Sequence, residues 1–345
     1  VGEMKDFIVT TELNEDGTYK LNPTDDRASK HPFIDSHYTN KNHKLNSLNA
    51  NMFAKVKLPF NASYQFNFAP RYEWSTDLQH QSSQHPEWSL IGGSAYRNSR
   101  KDLLWQMDNI LKWNKTFNNM HAFDFTFLFN LEKFERWSEK MSNEGFSPSD
   151  ILGYHNIGVG SKPIISSEDE QRTGDALMGR LFYSLKDRYM VTLSLRRDGY
   201  SAFGQKNPRA SFPSVGLGWI FTEESFIPDM NWLNYGKLRL SYGANGNRDI
   251  GVYEALAQLH SNKYQHIGTG GAISIPVYLY MNKMENSELK WEETTSGNIG
   301  IDLSMINDRL KASIDVYDKR TKNLLILREL PDVTGFKNVM SNLGE

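Results

Sequence analysis

The chain has 345 residues, 39 Lys+Arg against 41 Asp+Glu and a formal charge of −2, so it carries no basic excess to offer nucleic acid. It has no cysteine, which excludes disulfides and thiolate metal sites. Mean hydropathy is negative, and no apolar run approaches the ~18 residues of a membrane-spanning helix. A large β-barrel escapes both tests, because half of each spanning strand faces water and its loops are polar.

The N-terminal Val1-Gly2-Glu3-Met4-Lys5 has no basic region followed by an apolar one, so a chain bound for the outer membrane is expected to have lost its signal or to start within a longer protein. Residues 1–46 are polar, poorly periodic and predicted to be a loop. Glu12 to Gly17 resembles a calcium loop only faintly, since Pro23 stands where the bidentate glutamate belongs.

Strands are predicted from Leu48 onward. Leu48, Ala50, Met52, Ala54, Val56 and Leu58 alternate with polar residues; after Pro59-Phe60-Asn61 come Tyr64, Phe66, Phe68, Tyr72 and Trp74, with Pro70 marking a bulge or strand end. Leu103, Trp105, Met107, Leu111 and Trp113 mark a third strand, with Asn109 an awkward polar residue on its apolar face. Phe123, Phe125, Phe127, Phe129 and Leu131 mark the fourth and clearest one. Leu181–Leu185 and Tyr189–Leu195 flank Lys186-Asp187-Arg188 as a tight hairpin. Phe212–Phe221 and Lys237–Ala244 follow, then a strand carrying Ile299, Ile301 and Leu303, and a tenth carrying Leu310, Ala312, Ile314 and Val316. A short helix start is expected at Ser147-Pro148-Ser149-Asp150-Ile151-Leu152, and a helical turn around Asp229 to Leu233.

Connections at 59–61, 114–119, 186–188, 222–236 and 306–308 are short or compact; those at 75–100, 134–173, 198–211, 245–292 and 321–338 are mostly long. In an up-and-down sheet this gathers short turns at one end and long loops at the other, the pattern of an outer-membrane barrel. The polar faces carry Lys, Arg, Asp, Glu and Asn, which suit a wet or plugged lumen and not a sandwich core. A soluble sheet with an outward polar face explains the alternation but not the loop asymmetry. The fold class is therefore all-β: an antiparallel transmembrane β-barrel, with Leu217 and Trp219 expected toward lipid and Gly216 and Gly218 toward the lumen.

Particular wording narrows the family. Lys186-Asp187-Arg188-Tyr189, then Leu195–Gly204 (LRRDGYSAFG), Phe212–Trp219 (FPSVGLGW) and Leu238–Asn247 (LRLSYGANGN) stand in an order and spacing that resemble the SusC/RagA family of TonB-linked outer-membrane transporters. Glu288–Glu292 (ELKWE), Asn298–Asp302, Arg309-Leu310, Asp315–Leu325, Leu330-Pro331 and Thr334–Phe336 continue the resemblance, which covers about half the chain. Tyr200, Ala202 and Pro208 depart from the family pattern, and as loop residues they are expected to bear on ligand contacts more than on fold.

The resemblance implies a 22-stranded barrel, of which this chain would supply ten to eleven strands: a loop segment at 1–46 and a barrel portion at 47–345, without plug, TonB box or final strands. It implies a nutrient importer of the outer membrane in Bacteroidetes-type Gram-negative cells, not an enzyme. The implied partners are a SusD-like surface lipoprotein, the TonB complex through the missing N-terminal part, outer-membrane lipid, and an oligosaccharide or peptide cargo; no nucleic acid is expected. The competing readings are a TonB-dependent siderophore or vitamin receptor and a soluble β-rich carbohydrate-binding module.

No catalytic, cofactor or metal site is expected. His31, His37 and His43 recur without ligand spacing, and Glu223-Glu224 and Glu292-Glu293 read as solvated strand ends and not as paired glycosidase carboxylates. Loop aromatics are the candidate contacts for ligand or lid: Trp88 and Tyr96 in one long loop, Tyr253, Tyr264, Tyr278 and Tyr280 in another. Trp74, Trp105 and Trp113 read as interfacial girdle residues. Gly268-Thr269-Gly270-Gly271 reads as the hinge of a movable flap, and shortening the loop to a tight turn between Gly246 and Glu292 is expected to leave barrel assembly intact and to weaken lid association or cargo uptake.

Overall fold

The computed structural model describes residues 13–15, 17, 19–23, 30–146, 148–228, 230 and 232–344. The expectations placed on Glu12, Asp16, Ser147, Asp229, Asn231 and Glu345 lie outside the described residues.

In chain order the elements are a one-turn helix α1 (Ile34–Tyr38) and strands β1 (Thr39–Asn49), β2 (Met52–Leu58), β3 (Ala62–Gln81), β4 (Ser94–Phe117), β5 (His121–Glu144), β6 (Ile164–Leu185), β7 (Tyr189–Tyr200), β8 (Arg209–Ile220) and β9 (Leu233–Asn247). Then come β10 (Gln258–Lys263), β11 (His266–Ile267), β12 (Ile273–Ser274), β13 (Val277–Lys283), β14 (Glu292–Met305), β15 (Leu310–Lys322), β16 (Leu325–Glu329) and β17 (Asn338–Asn342). One 11-stranded sheet takes the order β1-β3-β4-β5-β6-β7-β8-β9-β14-β15, with β2 also on β3; β10-β13-β17-β16 form a second sheet, and β11-β12 a third. The order is that of successive hairpins, as expected for an up-and-down barrel wall.

By compactness the chain divides into two units, 1–50, 70–104 and 134–170 on one side and 51–69, 105–133 and 171–345 on the other, with β3–β6 contributing to both. In the first unit β1 pairs with the distal half of β3, from Thr39↔Gln81 to Asn49↔Arg71. Pairing therefore begins at Thr39, nine residues before the predicted start at Leu48. The strands also run far past their predicted ends: β3 spans 20 residues, β4 and β5 24 each, and β6 22. About 9–11 residues suffice to cross a bilayer. The surplus is polar ladder held by backbone hydrogen bonds, without the apolar alternation that sequence reading needs. Much of the predicted long connections at 75–100 and 134–173 is thus strand.

In the second unit, registers fix which residues share a face. Tyr183, Val191, Leu217, Leu240, Ile299 and Val316 stand in one row across six strands. The rows on either side of it run Leu185-Tyr189-Trp219-Leu238-Ile301-Ile314 and Leu181-Leu193-Val215-Tyr242-Gly297-Asp318. Apart from Gly297 and Asp318 these positions are apolar and half-buried to exposed, and Leu217 and Trp219 lie among them. The reverse face carries Thr192, Gly216, Ser241 and Asn298 in one row and Met190, Gly218, Arg239, Gly300 and Asp315 in another.

Charges on that polar face are satisfied within it. Arg239 donates to both oxygens of Asp302 at 2.7 and 2.9 Å, and to Asp315 at 3.1 Å. Gly300 permits this crossing, since a Cβ there would lie 2.8 Å from Arg239 Nη2. Asn109, the awkward residue of the third strand, accepts the Tyr64 hydroxyl at 2.6 Å.

The short turns use left-handed backbone without glycine: Phe60-Asn61, Asn118-Asn119 and Lys186-Asp187 all have φ between 50 and 63°. Two successive positive φ values make type I′ turns, whose twist matches the strands they join. The connection after β8 folds as a 3-10 turn at Phe221–Glu223. There Glu224 is buried, which corrects its assignment as a solvated strand end. It accepts hydrogen bonds from Tyr189, from Trp219 Nε1 at 3.0 Å and from Arg188 at 3.1 Å. Tyr189 and Trp219 are amphipathic rings at a strand end, and Glu224 receives their polar tips.

Candidate cargo and partner surface

The residues that carry the family wording converge on a loop platform in the second unit. Tyr200, Ala202, Phe203, Phe212, Ala244, Ile250, Ala255, Leu289 and Trp291 form one buried cluster, with Leu289 wholly inaccessible. Trp291 stacks on Phe203 at 4.8 Å, meets Phe212 edge-on at 5.7 Å, and donates Nε1 to the Pro208 carbonyl at 3.4 Å. Gly204 is required here: a Cβ would lie 2.2 Å from the Ser287 carbonyl oxygen, and its N–H donates to Leu289 O at 2.9 Å. Tyr200 is 6% and Ala202 2% exposed. Their expected role in ligand contact is therefore corrected to packing, and Pro208 supplies a structural acceptor. Arg248 covers the Tyr200 ring at 4.9 Å while pairing with Glu132.

From this platform rises an arm. The predicted 48-residue loop at 245–292 contains strands: β9 extends to Asn247, β10 and β13 form an antiparallel hairpin, and β14 starts at Glu292. The root of the arm is fastened by the Asn286 N–H on the Ala255 carbonyl at 3.0 Å, by a buried Lys283–Glu254 ion pair, and by a parallel bridge from Lys283 to Asn338 of β17. The Gly268–Gly271 run lies at the far tip, between β11 and β12, with φ of 88° and 80° at Gly270 and Gly271. It is a tip turn and not a hinge. The shortening expected to spare barrel assembly would remove Ile250, Ala255, Leu289 and Trp291 from the core.

The arm sorts its side chains by face. The pairs His260↔Tyr280 and Asn262↔Tyr278 put these residues on one side together with Tyr264, and Leu259↔Met281, Ser261↔Leu279 and Lys263↔Val277 on the other. Tyr264 and Tyr278 meet edge-on at 5.7 Å, Tyr278 and Tyr280 lie tilted at 5.7 Å, and His260 adds a ring 6.0 Å from Tyr280. All three tyrosines are exposed. Three of the six candidate residues thus form one aromatic face. Tyr253 stands apart at φ 63°, its hydroxyl accepting the Gln171 N–H at 2.9 Å.

The other two candidates belong to the first unit. Trp88 caps a 3-10 turn at Ser89–Ile91, half-buried. Tyr96 lies in β4 and not in a loop; its hydroxyl donates to Asp77 at 3.1 Å and the Lys140 ammonium lies 5.1 Å from its ring centre. Nearby in the outer extension of β4, Asp102 accepts from Arg100 at 2.9 Å and from Arg136 at 3.0 Å. Burial works to raise its pKa, but the hydrogen bonds and charges of the two arginines outweigh that and bring it down to about 2. Arg136 also reaches Glu170 at 3.2 Å. The connection at 145–163 is folded down by Asn143, which accepts the Lys162 N–H at 2.8 Å and donates to the Ile157 carbonyl at 2.9 Å. These networks were invisible to sequence reading, since each joins residues far apart in the chain.

Among the described residues no group of three or more His, Cys, Asp or Glu could hold a metal ion. His31 and His37 instead pack on the Tyr19 ring, at 4.7 and 5.3 Å. Glu292 is tied to Asn247 at 3.1 Å and to the Leu325 N–H at 3.2 Å, which leaves it a structural acceptor and not a solvated strand end.

Comparison with known proteins agrees with this geometry. The family described as TonB dependent receptor-like, beta-barrel matches residues 7–345. The chain is 31% identical over 287 residues to TonB-dependent receptor P39 of Formosa agariphila, covering 83% of this chain and 26% of that protein. It is 39% identical over 172 residues to TonB-dependent receptor SusC of Bacteroides thetaiotaomicron, covering 48% of this chain and 17% of that protein. In fold it is similar to the solved RagAB peptide transporter, with a TM-score of 0.81 at 22% identity over 95% of this chain and 36% of that one. The chain thus spans about a quarter of the P39 relative's length. With strands, turns and loop platform in place and the family matched along nearly all of its length, this chain belongs to the TonB-dependent receptor β-barrel family.

Proposed function

We propose that the chain is a wall portion of a SusC-type, TonB-dependent nutrient importer in the outer membrane of a Bacteroidetes-type cell, with its arm contacting cargo or a SusD-like lipoprotein. The single observation that carries the second half is the aromatic face of β10–β13, where Tyr264, Tyr278 and Tyr280 present exposed rings on a hairpin fastened at its root. Flat aromatic faces gather the apolar C–H surface of sugars and the side chains of peptides alike, and a rigid mount lowers the ordering cost of binding. The cargo is accordingly an oligosaccharide or a peptide. Energy from TonB reaches such a barrel through a plug domain, so the coupling belongs to other parts of the whole protein. Residues 1–46 are assigned to the extracellular side in this reading, and 47–345 to the barrel portion.

The test uses the full-length receptor in its host. Tyr278→Ala with Tyr280→Ala should leave surface expression unchanged and lower cargo uptake or co-purification of the lid lipoprotein at least threefold. Unchanged uptake and unchanged lipoprotein recovery would refute the contact role. Removing 257–284, and not 245–292, is the matching deletion, because it spares the platform.

A further inference from the structure

Three stretches of the first unit meet around a cavity at its long-loop end: the junction of α1 and β1, the end of β3, and the connection that follows β5. Backbone contacts fix the first two on each other. Asn40 pairs with His80, Thr39 pairs with Gln81, and the Ser82 N–H donates to the Tyr38 carbonyl at 2.9 Å. Asp150 brings in the third stretch by accepting the Ser83 N–H, and it lies 3.4 Å from His80 Nε2, outside hydrogen-bond geometry. His80 is seated against Gly153, where a Cβ would stand 2.5 Å from its Cγ, and it meets the Phe146 ring edge-on at 6.5 Å. The cavity so formed is about 740 Å³, within the ~300–1,000 Å³ of small-ligand clefts.

The chemistry of its lining selects among ligands. Asn40 and Gln84 offer exposed amides, and serine hydroxyls stand in the wall as well. Asp150 is the one carboxylate of the lining and Lys41 the one ammonium, so neither charge is in excess. Burial works to raise the Asp150 pKa, but hydrogen bonds from the Ser83 N–H and from the Ser82 and Ser83 hydroxyls outweigh it and hold the carboxyl below its ordinary value, as an acceptor. Two polar atoms of the lining, His80 Nε2 and Thr39 Oγ1, are buried with no hydrogen-bond partner among the described residues, although buried polar groups are normally paired. A sugar hydroxyl both donates and accepts, so a ring that carries several can pair with amide, carboxylate and imidazole together. An anion would be repelled by the Asp150 carboxylate. A peptide would need apolar seats for its side chains, and the apolar side chains of the lining are Tyr38, which is buried, and Ile151, which stands out in solvent. We propose that this cavity binds one unit of a neutral saccharide, with Asn40, Gln84 and Asp150 taking its hydroxyls and His80 Nε2 and Thr39 Oγ1 gaining partners from it. The proposal rests on the importer reading above, which turns the long-loop end to the medium.

The test uses the full-length receptor carrying Tyr278→Ala and Tyr280→Ala, in a detergent without a sugar headgroup, so that the arm's aromatic face does not supply the signal. D-glucose, D-galactose, D-mannose, D-xylose, D-glucuronate and dialanine would each be offered and read by saturation-transfer NMR. At least one neutral sugar should take up saturation, and adding Asn40→Ala with Gln84→Ala should lower that signal at least threefold. Both side chains are exposed, so their loss spares the fold. His80→Phe keeps a ring over Gly153 but removes Nε2, and should lower the signal at least twofold. Asn42→Ala, next on the same face of β1 but outside the lining, should leave it unchanged. No saturation of any neutral sugar, saturation that the cavity variants leave unaltered, or binding of glucuronate or dialanine in place of the sugars overturns the cavity as a saccharide site. Insertion is read separately from the heat-shifted gel migration of folded barrels: failure to insert overturns the barrel reading and the cavity together, whereas an inserted receptor without these signals overturns the cavity alone.

Discussion

Trp291→Ala should loosen the loop platform while leaving the strands beneath it paired. The indole contacts Phe203, Phe212 and Tyr200 and donates to the Pro208 carbonyl, at the centre of a cluster whose Leu289 is fully buried. Truncating a buried Trp to Ala costs about 3–5 kcal/mol. At ~1.4 kcal/mol per tenfold this is two to four powers of ten in the equilibrium for local opening. The reporters are the amides of Gly204 and Lys206, which donate to Leu289 O at 2.9 Å and Ser287 O at 3.2 Å only while the platform is closed. Hydrogen exchange of the full-length protein in detergent should show these amides exchanging about 10²–10⁴ times faster in the variant, with the β8–β9 ladder amides unchanged. Unaltered exchange at Gly204 and Lys206 would refute the platform as a packed unit. Equal acceleration in the ladder would show that platform and strands open as one.

Three further outcomes follow from the same contacts. Gly204→Ala forces a methyl against the Ser287 carbonyl and should cost ~1–3 kcal/mol, read as a lower denaturant midpoint of the platform amides. Asp102, held near 2, has a folded pKa below its ordinary value; its stabilising contribution is therefore complete above about pH 4 and lost as pH falls toward 2. Thermal unfolding of Asp102→Asn should show a smaller drop between pH 4 and pH 2 than the wild type, and an identical drop would remove the network from the account. Glu224→Ala strips the acceptor from Trp219 Nε1, so the indole N–H resonance of Trp219 should move upfield and exchange faster; an unmoved resonance would mean the contact is not made in solution.

Legibility in the sequence followed burial. The strands around Phe123–Leu131 and Phe212–Phe221 declared themselves because one face is apolar and the other polar. The outer half of β6, with Ser166-Ser167-Glu168-Asp169-Glu170, is wet on both faces, so nothing in its side chains marks it as a strand. The arm was hidden for the opposite reason. Val277-Tyr278-Leu279-Tyr280-Met281 alternates aliphatic with aromatic residues, so neither face carries the charged or amide side chains that mark the other strands. Of the six candidate site residues, Tyr264, Tyr278 and Tyr280 are brought together; Trp88, Tyr96 and Tyr253 are held by local contacts instead. The platform was visible only as family wording, since the partners of Trp291 come from Tyr200, Phe203 and Phe212, on other strands and loops. Glu224 was misread because an acidic residue at a turn carries no mark of the three donors that fold onto it.

The central claim is that the second unit's apolar face meets lipid and its arm meets water outside the cell. In a cysteine-free full-length background, Val215→Cys, Leu217→Cys and Leu279→Cys would each be treated on intact cells with a membrane-impermeant maleimide. On the proposed reading, positions 215 and 217 of the apolar rows meet hydrocarbon and position 279 of the arm meets the medium. Labelling should be strong at 279 and absent at 215 and 217. Strong labelling at 215 and 217 would contradict the account at its root.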